Sequence, residues 1–68
     1  MANDKMKKAI LIEHHDGSKL TMIVCNDANG EHIFDALWDP RDEDTPENRK
    51  EFRSWVYRML KNKGYSDE

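Results

Sequence analysis

The sequence predicts an α+β domain: a small antiparallel sheet, opened by a β-hairpin and extended to a three-stranded meander, packed against one long C-terminal α-helix. Three observations predict it. Residues 46–63 read PENRKEFRSWVYRMLKNK and place Phe52, Trp55, Val56, Met59 and Leu60 at i, i+3, i+4, i+7 and i+8, a single stripe of a helix. Two runs rich in Ile and Val flank Asp16-Gly17-Ser18, the pattern of a hairpin. Asn29-Gly30, the preferred dipeptide of a type I′ turn, then separates the second run from Ile33-Phe34 and so sets up a third strand.

Taken in order, residues 1–6 form a polar lead with nothing to anchor it, expected to be flexible, and residues 7–38 are the sheet region. With residues 16–18 as the loop, Ile10 faces Val24, Ile12 faces Met22 and His14 faces Leu20. The opposite face pairs Leu11 with Ile23 and Ala9 with Cys25. Both faces of the hairpin are therefore apolar, which is unusual for an antiparallel pair with one side in water. A third strand from Glu31 to about Trp38 puts Phe34, Ala36 and Trp38 on the Leu11, Ile23 and Cys25 face, where the helix sits. Ile33, Phe34, Leu37 and Trp38 also share a helical face, so the alternative is a second helix over residues 31–38, barely two turns long, that would fold over the other side of the sheet.

Asp39-Pro40 ends the sheet region, and residues 39–45 form an acidic loop. Thr45 is a natural N-cap, Pro46 suits the first helical position, and Gly64 suits the release of the helix after residue 63. Phe52 and Trp55 are expected between helix and sheet, where truncating either would cost roughly 3 to 5 kcal/mol. Asp42, Glu43, Asp44 and Glu47 cluster at the helix start, where the macrodipole favours negative charge. Capping and solubility account for them; docking of a basic partner is the sharper alternative. Residues 64–68 form a tail too short for an element, with Tyr65 folding back on the helix end.

Length and composition narrow the function. Sixty-eight residues make one domain with a small core, whose stability must come from that core or from association. One cysteine excludes an internal disulfide and fits a reducing compartment, and no apolar run is long enough for a membrane span. A soluble, cytoplasmic protein is expected. Charged residues make up 37% of the chain with a net charge of −3, which argues against nucleic-acid binding by the surface at large.

Four groups of residues are candidates for function. His14, His15, Cys25 and His32 are the residue types of a zinc site, yet adjacent histidines in a strand point to opposite faces and no ligand spacing appears, so neither metal nor cofactor is expected. His14 or His15 could serve a small endoribonuclease as general acid or base, with Asp16, Asp27, Glu31 and Asp35 nearby in sequence. The chain lacks a nucleophile motif, a phosphate loop and the length for a deep cleft, so the expectation is a protein without enzymatic activity. Lys50, Arg53, Tyr57 and Lys61, with Arg49 at their margin, form a basic stripe on the helix and are the alternative, a nucleic-acid face. The plainer account of that stripe is a solvated helix surface.

The fourth group is the second apolar face of the sheet: Ile10, Ile12, Leu20, Met22 and Val24, joined by Ile33 and Leu37 if the third strand forms. One helix covers one face only, and a large exposed apolar patch marks an interaction surface. The reading that follows is a small acidic accessory protein that binds another protein and modulates or inhibits it, of the kind phages and mobile elements encode. The same patch on every copy makes a two-fold homodimer the default association.

Overall fold

The computed structural model describes residues 7–66, and the polar lead at 1–6 lies outside them. Strands β1 (Lys7–Asp16), β2 (Lys19–Asp27) and β3 (His32–Leu37) are followed by helix α1 (Pro46–Asn62) and a two-residue strand β4 (Tyr65–Ser66). The sheet order is β3-β2-β1-β4, antiparallel throughout except that β4 runs parallel to β1. The α+β class, the hairpin, the meander and the C-terminal helix all appear as the sequence predicts, and residues 32–37 are strand and not helix.

The first turn differs from the expected one. Asp16 pairs with Lys19, leaving only Gly17 and Ser18 in the loop, with Gly17 at φ 63° and Ser18 at an ordinary negative φ. A glycine in the first of two central positions is the type II′ pattern, whose twist suits a hairpin. The tighter loop and a one-residue bulge just beyond it each move the register by one residue, two in all: Ile12 faces Val24, Ile10 faces Asn26 and Leu11 faces Cys25. An even shift keeps each side chain on its expected face, because the strand period is two.

Leu20 is the exception. His14 pairs with Met22 but His15 with Leu20, so Thr21 stands alone in a bulge. Its hydroxyl donates to the His14 carbonyl at 3.0 Å, and its own carbonyl accepts from the Trp38 amide at 2.9 Å. One extra residue reverses the alternation on its far side. Leu20 therefore turns under the helix and is only 2% exposed, so its expected place on the open face is corrected: it belongs to the core.

The second turn holds Ala28, Asn29 and Gly30. Gly30 donates to the Asp27 carbonyl at 3.0 Å with φ 87°, and the Asp27 amide donates to the Glu31 carbonyl at 2.8 Å. This is a three-residue loop with glycine in the left-handed position, so Asn29-Gly30 does not form the expected type I′ turn. The Asp27 carboxylate accepts from the amides of Asn29 and Glu31, both at 2.9 Å, and stabilises this longer turn.

The helix begins and ends where its caps lie. The Thr45 hydroxyl accepts from the Asn48 amide at 3.1 Å with Pro46 in the first turn, and the Gly64 amide donates to the Lys61 carbonyl at 3.0 Å past the other end. The buried side of α1 is turned from the expected one. Val56 and Leu60 are fully buried and Phe52 is half-buried, but Trp55 is 41% exposed, which corrects its expected place between helix and sheet. At about 100° per residue the buried face centres near Val56 and Leu60, so Arg49 falls in line with it one turn and more before Val56, Arg53 lies beside it, and Trp55 falls on the far flank. Trp55 instead stacks on Phe52 at 6.5 Å between centroids, and Phe52 meets Trp38 edge-on at 5.1 Å.

Gly64 turns the chain back onto the sheet, where Tyr65 and Ser66 pair with Lys7 and Lys8 and the Lys7 amide donates to the Gly64 carbonyl at 3.1 Å. The tail expected to be too short for an element thus forms a strand. Between the layers lie Ala9, Leu20, Ile23, Cys25, Ala36, Val56 and Leu60, with Leu11, Phe34, Trp38, Phe52 and Tyr65 packed around them. Burial of Cys25 pushes its thiol up from the ordinary value, with the Asp35 charge adding to the effect.

Candidate protein interface

The strands present a second face on which no helix lies. Strand alternation sets its side chains in rows: Leu37, Met22 and His14 lie across the sheet at one level, and Asp35, Val24 and Ile12 at the next. Ile10 and Asn26 follow below them. Ile10 is 46% exposed, Ile12 44% and Leu37 71%, while Met22 and Val24 are half-buried by their neighbours in the sheet. These five form a diagonal apolar stripe across three strands, with His14 on one side of it and Asn26 and Asp35 on the other. The His32 ring nitrogen lies 2.8 Å from the Asp35 carboxylate. Of the side chains expected here, Ile10, Ile12, Met22 and Val24 come together, Leu37 joins them through β3, and Leu20 is withdrawn by the bulge. Ile33, at the irregular step where β3 meets Asn26, packs against the core cluster.

The basic stripe of α1 is placed differently from the sequence expectation. The Arg53 guanidinium reaches the β1 carboxylate of Glu13 with two bonds of 2.5 and 3.0 Å, while the His15 ring lies 3.0 Å from the same carboxylate. Hydrogen bonds from Arg53, aided by His15, hold the Glu13 carboxyl down to about 2 against a smaller opposing effect of desolvation, and Glu13 in turn raises the Arg53 value. Arg53 is thus committed to the sheet, and Lys50, Tyr57 and Lys61 are left on the outer helix surface. Sequence reasoning missed this pair, whose members lie 40 residues apart. A cue was present: Glu13 continues the inward series of Ala9 and Leu11, and an acid in an apolar phase calls for a cation from the covering element.

The three histidines and the cysteine do not converge. His14 lies on the open face, His15 on the helix side against Glu13, His32 against Asp35, and Cys25 in the core. Among the described residues no group of three or more His, Cys, Asp or Glu side chains is arranged to hold a metal ion. No helix of those residues is long and apolar enough to cross a membrane. No family model matches this chain, and no curated protein or solved structure matches it either.

Proposed function

We propose that this chain is a small acidic accessory protein that acts by binding another protein through the open sheet face, modulating or inhibiting that partner, and that a second copy covers the face when the partner is absent. One observation carries the reading. The open face holds five large aliphatic side chains, Ile10, Ile12, Met22, Val24 and Leu37, whereas the core fully buries only four, Leu20, Ile23, Val56 and Leu60. A fully buried side chain of this size is worth about 1.5 to 3 kcal/mol relative to exposure, so leaving the face in water forgoes a part of that stabilisation at each of the five. The same patch on each copy is self-complementary under a two-fold axis, and a partner protein with an apolar surface competes for it.

Sedimentation tests this directly. The parent is expected to sediment as a dimer, and Ile12→Lys and Met22→Lys as folded monomers with the parent's circular dichroism that no longer act on the partner. Because Ile12 is exposed in the single chain, a lysine there leaves the fold standing. A monomeric parent, combined with outright unfolding of Ile12→Lys, overturns the reading.

A further inference from the structure

A concavity lies where β2 begins and β3 ends, and it shares no residue with the open face. Leu20, Thr21, Trp38 and Pro40 line it together with Lys19, Asp42, Glu43 and Asp44, as an open cleft of about 620 Å³. That volume falls within the range of about 300 to 1,000 Å³ usual for binding clefts. Its walls are fixed. The Trp38 indole N–H donates to the Asp42 carbonyl at 3.2 Å, the Trp38 amide is held by Thr21, and the Asn48 amide group donates to the Glu43 carbonyl at 2.8 Å. With its one polar hydrogen satisfied, the indole offers a ring surface.

The charge around the cleft is unbalanced. Three acidic residues line it against one lysine, Lys19, and of the neighbouring cations Arg41 is engaged by Asp39 and Arg49 sits against Asp44, which leaves Asp42 and Glu43 uncompensated. Arg41 forks onto Asp39 with bonds of 3.2 and 2.9 Å, and feels Asp42 only through its charge. Arg49 donates to the Thr45 carbonyl at 3.4 Å and lies 3.1 Å from Asp44 Oδ1. That contact is an attraction of charges without hydrogen-bond geometry, and Asp44 Oδ1, itself shielded from solvent, has no hydrogen-bond partner. Among the described residues neither Asp42 nor Glu43 has an ion pair through its carboxylate.

We infer that this cleft binds an arginine side chain presented by a basic segment of a partner protein. An aromatic and apolar floor beside acidic residues matches the two halves of that side chain: the methylenes lie on Trp38 and Pro40, and the planar guanidinium meets the carboxylates of Asp42 and Glu43. Arginine fits better than lysine because its flat, weakly hydrated cation stacks on an indole and pairs with a carboxylate through two hydrogen bonds. The inference stands apart from the open sheet face, and loss of self-association leaves it untouched.

The probe is acetyl-arginine methylamide, titrated into the ¹⁵N-labelled full chain, with acetyl-citrulline methylamide as the uncharged counterpart of equal shape. The two tryptophans give an internal comparison, because Trp55 lines no part of the cleft. Saturable movement of the Trp38 indole signal with a still Trp55 signal is expected, together with markedly weaker binding of the citrulline probe. Asp42→Asn and Glu43→Gln, both at exposed positions, should each weaken the arginine probe about two- to fivefold, the ordinary worth of one exposed ion pair. Equal responses to the two probes, or a Trp38 signal that drifts without saturating, overturn the inference.

Discussion

At the scale of single residues, the Glu13 and Arg53 pair ties the helix to the sheet across 40 positions of sequence. Its pH dependence has a defined sign. Glu13 is held down to about 2 in the folded chain, against an ordinary value of 4.5. The pair therefore contributes its full stabilisation above about pH 4.5 and loses it as the pH falls towards 2. Because both side chains are partly solvated, that contribution is about 1 kcal/mol or less at neutral pH. Urea unfolding of the parent and of Glu13→Gln should thus differ by a constant amount at pH 5 to 7 and converge below pH 4.5. A difference that persists unchanged to pH 2.5 would show that Glu13 stabilises by packing alone.

At the scale of elements, the helix is held by a narrow line of burial. Leu60, 1% exposed, should cost about 2 to 5 kcal/mol on truncation to alanine, whereas Trp55→Ala should cost only about 1 kcal/mol, the loss of a ring half in water stacked on Phe52. Chemical denaturation of the two variants ranks them, and equal costs would contradict the observed rotation of α1. The ends of α1 were legible because Thr45, Pro46 and Gly64 act locally, through hydrogen bonds and φ values that need no tertiary partner. Its rotation was not legible: the apolar stripe spans a wide arc, and the choice of its buried half depends on where Glu13 draws Arg53. The hairpin could be read from Asp16-Gly17-Ser18, yet the bulge at Thr21 could not, since alternation alone has no mark for an extra residue. Tyr65 and Ser66 carry no pattern at all; their strand exists because Gly64 delivers them to the free edge beside Lys7. The open face survived most of these errors, as an even register shift preserves sides, and lost Leu20 beyond the first bulge and Ile33 at the irregular step of β3.

At the scale of the whole molecule, one sheet serves two surfaces that differ in kind. On the helix-covered side small residues, Ala9, Cys25 and Ala36, alternate with the larger Leu20 and Ile23 that α1 buries, while the other side carries large aliphatics that no element covers. With a folded chain stabilised by no more than about 5 to 15 kcal/mol, burial of that second side in the proposed dimer would add a sizeable fraction of the stability of the isolated fold. Dilution should therefore lower the melting temperature of the parent but not that of Ile12→Lys.

The pairing of β4 with β1 also decides how the molecule bears a load. Because the two strands run parallel, with Lys7 opposite Tyr65 and Lys8 opposite Ser66, tension applied at residues 7 and 66 slides one strand along the other and strains the hydrogen bonds between them together. Tension applied instead across Ala9 and Asp27, at the open end of the hairpin, peels β1 from β2 and breaks their bonds one after another. Forced unfolding follows the height of the barrier along the pulling direction, so the same fold is mechanically anisotropic. In a tweezers experiment the first geometry should yield in one abrupt step at higher force, and the second should peel gradually, which makes the two residues of β4 a clasp against stretching out of proportion to their length.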